Sequence, residues 1–252
     1  MRKTSRRAWR VVGGGVGAAT LLGLGYVATQ WLRYGHVRKR RGPPTLLDRF
    51  LPECEVLERH QTRVAAPADV TYGAAREMSL AGSPVVRAIF RGRELLMRSL
   101  VADRPEERPP QSLIDEVLSI GWGVLAQEPG REIVLGAVTQ PWKSDVKFRA
   151  LPPDEFAAFN TPGFAKIAWT IRAEPLGLKT SRFYTETRVA TTDAEARKRF
   201  RRYWTMVSPG VRLIRRESLR LVRADAERRY RADLDAKGGP DDITALGAAV
   251  TR

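Results

Sequence analysis

The sequence predicts an α+β domain in which an antiparallel sheet packs on one long C-terminal helix, preceded by one N-terminal transmembrane helix. Three observations support this prediction. Residues 11–32 form an uncharged run of 22 positions. Two segments within 164–191 alternate apolar and polar residues, as half-buried antiparallel strands do. From Asp193 onward the apolar residues recur mostly every three or four positions, which is the period of an amphipathic helix.

The uncharged run at 11–32 is long enough to cross a bilayer. At about 1.5 Å per residue, a helix of this length spans the hydrocarbon core of about 30 Å. Trp9 lies before the run, and Trp31 and Tyr34 lie at its end. Amphipathic aromatic residues are typical of the membrane interface. Residues 11–32 are therefore predicted to anchor the chain in the cell membrane with a single pass.

A dinucleotide-binding turn is the alternative interpretation of the same glycine-rich segment. Gly13, Gly15 and Ala18 match the spacing G-x-G-x-x-G/A. That turn needs a strand before it and an acidic residue about 20 positions later. A basic run precedes the glycines instead, and no carboxylate occurs before Asp48. The sequence therefore predicts no nucleotide and no other cofactor.

The positive charge is concentrated around the predicted anchor. The chain has a net charge of +16, and residues 1–49 contribute +10 through eleven Lys and Arg residues against Asp48. A cluster such as residues 38–41, RKRR, binds anionic lipid headgroups or serves as a plain basic linker. Anionic headgroups are therefore predicted as a partner and nucleic acid is not. Five basic residues flank the anchor on each side, so the charge pattern leaves its orientation open.

These features divide the chain into five parts. In chain order they are a basic N-terminus at 1–10, the transmembrane anchor at 11–32, a basic linker at 33–45, a folded domain at 46–232 and a disordered tail at 233–252.

The first half of the domain is predicted to contain one strand and three helices. Residues 54–64 alternate and end in β-branched residues, which predicts a strand. Pro67 and Asp69 are signals for the start of a helix. Further helices are predicted at 85–95 and 112–120, on either side of a polar, proline-rich loop at 102–111.

The second half is predicted to be mostly β. Glu128-Pro129-Gly130 joins two strands in a hairpin. Another strand is predicted near 144–151 and one or two helical turns at 152–159. The two long strands follow, joined through Gly177, and Thr192 and Asp193 then offer N-caps for the last helix. Pro209-Gly210 is expected to bend or interrupt that helix. Its outer surface is predicted to carry Arg199, Arg201, Arg202, Arg212, Arg215, Arg216, Arg220 and Arg223.

Several phrases are similar to bacterial domains of the START-like, or SRPBCC, superfamily. They are RVAAPADVTYGAARE at 63–77, EPGREIVLGAVTQPWK at 128–143, FAKIAWTIRAEPLG at 164–177 and TETRVATTDAEARKRFRRYW at 185–204. The element order also resembles the helix-grip fold of that superfamily, which includes polyketide cyclases/dehydrases. The resemblance covers residues 50–230. It implies a curved antiparallel sheet wrapped around the C-terminal helix, with an apolar cavity that binds a hydrophobic small molecule or lipid.

Six residues are predicted to line this cavity, although packing within a plain core is an alternative for each of them. His60 is in phase with Thr62 and Val64 and is expected to face inward. The other five supply aromatic surface. The predicted ligand-binding set is His60, Trp122, Trp142, Trp169, Phe200 and Trp204.

No catalytic residue is predicted, because the sequence contains no nucleophile-elbow or phosphate-loop pattern. The two histidines and one cysteine are too dispersed to indicate a metal site. Four strand residues are expected to form ion pairs across neighbouring strands on the outer face of the sheet: Arg172, Arg188, Glu174 and Glu186. The alternative is an enzyme of the cyclase or dehydratase kind, in which His60 moves protons. A plain interaction module is the third hypothesis.

Overall fold

A computed structural model describes residues 45–80 and 112–237, together with positions 29, 38–39 and 83. Apart from Thr29, the predicted anchor at 11–32 lies outside the described residues. The helix predicted at 85–95 and the loop predicted at 102–111 also lie outside them. Within the described part, no helix is both long enough and apolar enough to span a membrane.

The elements before the main hairpin agree with the predicted order. A 3-10 helix at Leu46–Arg49 begins the domain where the sequence places its start. Ser112 caps a short helix by accepting a hydrogen bond from the Asp115 N–H at 3.2 Å. The elements are β1 (Arg38–Lys39), β2 (Glu53–Cys54), β3 (Val56–Val64), α1 (Ala68–Glu77) and α2 (Leu113–Ser119). β1 pairs with β2, so part of the predicted linker has strand conformation.

The second half contains the predicted hairpin and both long strands. Gly130 lies in the turn of the hairpin with a φ of 72°, a conformation that favours glycine. The elements are β4 (Gly123–Glu128), β5 (Glu132–Thr139), β6 (Phe148–Arg149), α3 (Pro153–Ala158), β7 (Ala165–Gly177), β8 (Thr180–Thr191) and α4 (Ala194–Lys237). The strand predicted near 144–151 is reduced to the two residues of β6.

Antiparallel pairing joins the main sheet in the order β3-β8-β7-β5-β4, and β6 pairs with β5. Register shifts interrupt the pairing between Val124 and Ala126 and between Pro175 and Gly177. Such bulges bend a strand and increase its twist. The curved sheet and the long C-terminal helix together fit the predicted helix-grip arrangement.

One face of the sheet, which we call the inner face, packs against helices. Across this contact, a hydrogen bond of 2.8 Å links the hydroxyl groups of Thr71 in α1 and Ser181 in β8. The largest apolar cluster combines strand residues such as Trp169 and Phe183 with Val222 and Ala226 of α4. A second cluster packs Val56 and Val189 against Phe200 and Trp204 of α4.

The opposite, outer face is covered by the 3-10 helix and α3. Leu47, Phe50 and Phe156 pack there against Val134 and Ala168. This face also buries charge. The Arg188 side chain is fully buried, and its guanidinium donates to Glu186 Oε1 and to Asp48 Oδ1, each at 2.7 Å. The pair to Asp48 ties the 3-10 helix to the sheet.

The terminal helix α4 is continuous over 44 residues. Asp193 caps its start, because its Oδ1 accepts the Ala196 N–H at 2.8 Å and its Oδ2 accepts the Gly163 N–H. Pro209, where the sequence predicts a bend or an interruption, does not interrupt the helix, although proline has no N–H to donate to the Thr205 carbonyl. α4 ends at Lys237, beyond residue 232, where the sequence places the end of the domain.

Candidate binding site between the sheet and the C-terminal helix

A group of polar side chains lies between the inner face of the sheet and α4. We call it the polar patch. It consists of Glu58 and His60 on β3, Thr185 and Thr187 on β8, and Arg212 and Arg215 on α4.

Strand register brings the sheet members of this patch together. Glu58 lies opposite Thr187, and His60 lies opposite Thr185. On the next strand, Trp169 lies opposite Thr187 and Ile171 lies opposite Thr185. Because side chains alternate between the two faces of a strand, these residues form two adjacent rows on the inner face.

Arg215 is the centre of the patch. Its Nη1 donates to Thr185 Oγ1 at 3.1 Å and its Nη2 donates to Thr187 Oγ1 at 2.5 Å. Its guanidinium carbon lies 4.9 Å from the centroid of the Trp169 ring, and Trp169 Nε1 also donates to Thr185 Oγ1, at 2.6 Å. Burial lowers the pKa of Arg215 to about 10, a shift that the Glu58 carboxylate opposes. The guanidinium therefore remains charged at neutral pH.

Glu58 contacts both Arg212 and His60. Its side chain is buried, and its Oε1 accepts from Arg212 Nη2 at 3.3 Å. Its Oε2 lies 3.6 Å from His60 Nε2. Within the described residues that imidazole nitrogen is buried and has no hydrogen-bond partner. The arrangement places a carboxylate beside a buried ring nitrogen.

The side chains beside the patch differ in their degree of burial. Trp169, Phe200 and Trp204 are buried, and each fills the volume around it. In contrast, several residues of the inner face and α4 are only partly buried. They are Ile167, Val207, Val211, Ile214, His60 and Arg215. On β7, the two residues that flank Ile167 face outward and are more buried than Ile167 itself; they are Lys166 and Ala168. Several inward-facing residues beside the patch are therefore only partly buried.

The six predicted ligand-binding residues fall into three places. His60 lies in the polar patch, as its strand phase predicted. Trp169 and the half-buried Trp122 belong to the largest apolar cluster, and Trp122 is 5.6 Å from Phe148 between ring centroids. Phe200 and Trp204 stack at 5.7 Å between centroids, and Trp142 packs against the same cluster. We call Trp142, Phe200 and Trp204 the aromatic cluster.

Sequence reasoning missed five of the six polar-patch residues. Arg212 and Arg215 were predicted on the outer surface of α4, and this prediction is wrong. Ser208, Arg215 and Val222 are spaced seven residues apart, so Arg215 shares the buried stripe of the helix. The inward position of Glu58 could also have been predicted from the sequence. Glu58 lies two residues before His60, and positions i and i+2 of a strand share a face.

The four residues predicted to pair on the outer face do form ion pairs, but these pairs join positions of one strand and not, as predicted, neighbouring strands. Arg188 pairs with Glu186, and Arg172 Nη2 lies 2.9 Å from Glu174 Oε1. Arg172 Nη1 also reaches Glu132 Oε2 of β5 at 3.2 Å. This network lies on the face opposite the polar patch, and its charges are compensated there.

The described residues contain a surface pocket away from the polar patch but no cluster of metal ligands. The described part of the chain holds no group of three potential metal ligands. A surface pocket of about 680 Å³ opens beside the end of β5, lined in part by Lys143, Lys147 and Arg149. No polar-patch residue lines it, so it is separate from the space between the sheet and α4.

Comparison with known proteins finds only distant structural similarities. No family model matches the chain, and no curated protein sequence matches it. Among solved structures, it is similar to the Zhui aromatase/cyclase from Streptomyces sp. R1128, with 17% identity over 73% of this chain and 98% of that one, at a TM-score of 0.26. A hypothetical protein from Helicobacter pylori shares 7% identity over 76% of this chain and 99% of its own, at a TM-score of 0.34. Norcoclaurine synthase from Thalictrum flavum shares 10% identity over 81% and 99%, at a TM-score of 0.25.

The strand order and the long C-terminal helix of the chain fit a helix-grip arrangement. All of these similarities have TM-scores below 0.5 and identities below 25%. What the site binds has to be inferred from its own residues.

Proposed function

We propose that the protein is a membrane-anchored domain that binds or carries a hydrophobic small molecule or lipid between the sheet and α4. The observation that supports this most is the polar patch, which is bordered by the aromatic cluster on one side and by Trp169 on the other. Ligand sites are mostly apolar and contain a few convergent polar groups that orient the ligand. The patch and its aromatic borders have that composition.

The anchor is the second part of the proposal, and it rests on sequence. Residues 11–32 are uncharged over the length that a bilayer requires. The basic residues on both sides suit anionic headgroups. An anchored domain of this kind takes up an apolar ligand that is itself dissolved in the membrane.

A cyclase or dehydratase is the second candidate function, and the pair of Glu58 and His60 favours it. A histidine beside a carboxylate is a common general acid or base. His60 Nε2 faces the site without a partner among the described residues. In this role His60 would transfer a proton to or from the bound molecule, and Glu58 would stabilise the charged imidazolium.

Native mass spectrometry of the full chain, released from lipid nanodiscs, tests the binding function. We expect added mass that disappears on organic extraction and returns when the extract is added back. A chain that neither carries nor takes up an apolar compound would contradict the proposal. Comparison of Ile167→Trp with Leu178→Trp locates the effect, since Ile167 faces the site and Leu178 is 93% exposed. Only the former should reduce uptake.

The enzyme alternative is tested by the fate of the recovered compound. If the wild-type chain converts an added ligand and His60→Gln binds that ligand without converting it, the protein is an enzyme. If both release it chemically unchanged, the carrier function stands.

A further inference from the structure

We infer that the ligand of this site is an amphipathic anion, with a carboxylate or an equivalent oxyanion held by Arg215 and an apolar body lying along α4 toward Trp204. This inference rests on the proposed function and specifies its ligand class.

The first argument is the charge balance around Arg215. Across residues 45–80 and 112–237, no carboxylate lies within ion-pair distance of its guanidinium, whose described polar partners are the Thr185 and Thr187 hydroxyls. The neighbouring Glu58 carboxylate is engaged by Arg212 and lies beside His60. A cation held against an indole ring in a largely apolar interface is costly unless an anion joins it.

The second argument is the supply of hydrogen-bond donors at the same point. Thr185 Oγ1 accepts from both Trp169 and Arg215, and Thr187 Oγ1 accepts from Arg215. No acceptor for either hydroxyl hydrogen is found among the residues that the structure describes. Both hydroxyls therefore have a proton to donate, as does the guanidinium. Donors that converge on one point recognise an oxygen ligand, and they bind an oxyanion more strongly than a neutral oxygen.

The third argument is the apolar surface that leads away from Arg215. Val211, Val207 and Trp204 precede it by 4, 8 and 11 positions, and both valines keep accessible surface. At about 1.5 Å per residue, this surface is about 16 Å long. Ile167 and Val189 of the sheet belong to the same cluster. The geometry suits a ring system or a medium-length chain that carries its charge at one end.

Two probes of the same shape test the inference. They are 2-naphthoate, an aromatic carboxylate, and 2-naphthamide, its neutral isostere. Binding is measured by calorimetry on the full chain in nanodiscs at pH 7.5, with empty nanodiscs as the blank for partitioning. A hydrogen-bonded charge favours the carboxylate by about tenfold or more in the dissociation constant. The comparison of the two probes on the wild-type chain is sufficient to test the preference for an anion, because it does not depend on the folding of any variant.

Arg215→Met removes the charge and keeps most of the apolar stem, so we expect it to abolish the preference for naphthoate and to leave naphthamide binding within about twofold. Arg216→Met is the matched control, because Arg216 is the next residue and is exposed; its preference should equal that of the wild type. Thermal melts followed by circular dichroism identify a variant that fails to fold. Should Arg215→Met unfold, Arg215→Lys replaces it, with a reduced preference expected from loss of the planar fork.

The outcomes separate this inference from the proposed function. Equal binding of both probes to the wild type would overturn the anion site and leave the apolar site intact. A preference that persists in folded Arg215→Met would also overturn the assignment to Arg215. Binding of neither probe would count against both proposals.

Discussion

Tyr184 shows how strongly the outer face of the sheet controls the ionisation of single residues. Its ring is buried between Arg59, whose guanidinium carbon is 4.3 Å from the ring centroid, and Arg172. Burial raises the pKa of the Tyr184 hydroxyl to about 12, and the Glu132 carboxylate adds to the shift. Among the described residues the hydroxyl has no hydrogen-bond partner. Its chemistry is therefore dominated by desolvation.

A pH-dependent loss of stability follows from this raised pKa. Below pH 10, Tyr184 is neutral in both the folded and the unfolded chain. Between about pH 10 and 12 the unfolded chain releases the proton and the folded chain keeps it, so stability falls as pH rises. The loss is on the order of 2 kcal/mol. Chemical denaturation of the full chain should show a shallower decline over this range for Tyr184→Phe than for the wild type. Identical pH profiles would contradict the assignment.

The polar patch shows what could be predicted from single residues. The phase of β3 placed His60 on the inner face, and the same phase applies to Glu58. Arg212 and Arg215 were placed on the outer surface of the terminal helix. Helical spacing instead puts Arg215 in register with Ser208 and Val222, and two threonine hydroxyls accept two of its five N–H groups. At Arg215, the helical phase predicts burial of the side chain better than the residue type does.

At the scale of elements, periodicity predicted most of the described fold. The two long strands and the C-terminal helix lie where alternation and three-to-four spacing place them. The turn residues Glu128-Pro129-Gly130 located the hairpin, and Pro67 and Asp69 located the start of α1. β6 is shorter than predicted because only Phe148 and Arg149 find a partner strand, opposite Thr139 and Val138 of β5. α4 is not interrupted at Pro209, because the loss of one hydrogen bond is local, while burial of the stripe extends along the helix.

Two glycines test how tightly these elements pack. A Cβ added at Gly136 of β5 would lie 2.9 Å from Leu125 Cγ and 3.2 Å from Phe156 Cε2. A Cβ added at Gly73 of α1 meets no atom within 4 Å. Gly136→Ala should therefore lower the free energy of unfolding by about 1–3 kcal/mol. Gly73→Ala, the matched control, should raise it by about 0.5–1 kcal/mol through helix propensity. Equal effects in denaturant titrations would contradict this packing.

At the scale of the whole molecule, most of the net positive charge lies in the first 49 residues. Residues 1–49 hold +10 of the net +16. Much of the arginine on α4 is paired within the domain, as in Arg220 with Glu217 at 2.8 Å and Arg229 with Glu77 at 2.7 Å. The sequence could predict apolar faces and a membrane-length segment. It could not predict the space between two faces, because that depends on how closely the elements approach each other.

Membrane attachment is predicted to depend on residues 11–32. The full chain should stay with the membrane fraction through an alkaline carbonate wash, because 22 uncharged residues are costly to transfer into water. A chain that lacks 11–32 should appear in the supernatant. Replacement of the basic residues at 38–41 by glutamine serves as the control and should leave wash resistance unchanged. Release of the full chain by the wash would contradict the anchor.

Photolabelling tests most directly the claim that an apolar ligand occupies the space between the sheet and α4. The full chain in nanodiscs is irradiated with a diazirine-bearing alkyl carboxylate, and the labelled residues are identified by peptide fragmentation. We predict labels on inward residues of β7 and α4, such as Ile167, Val207 and Val211, that unlabelled carboxylate competes away. Labels confined to the exposed Met206 and Leu213, or to residues 11–32, would contradict it.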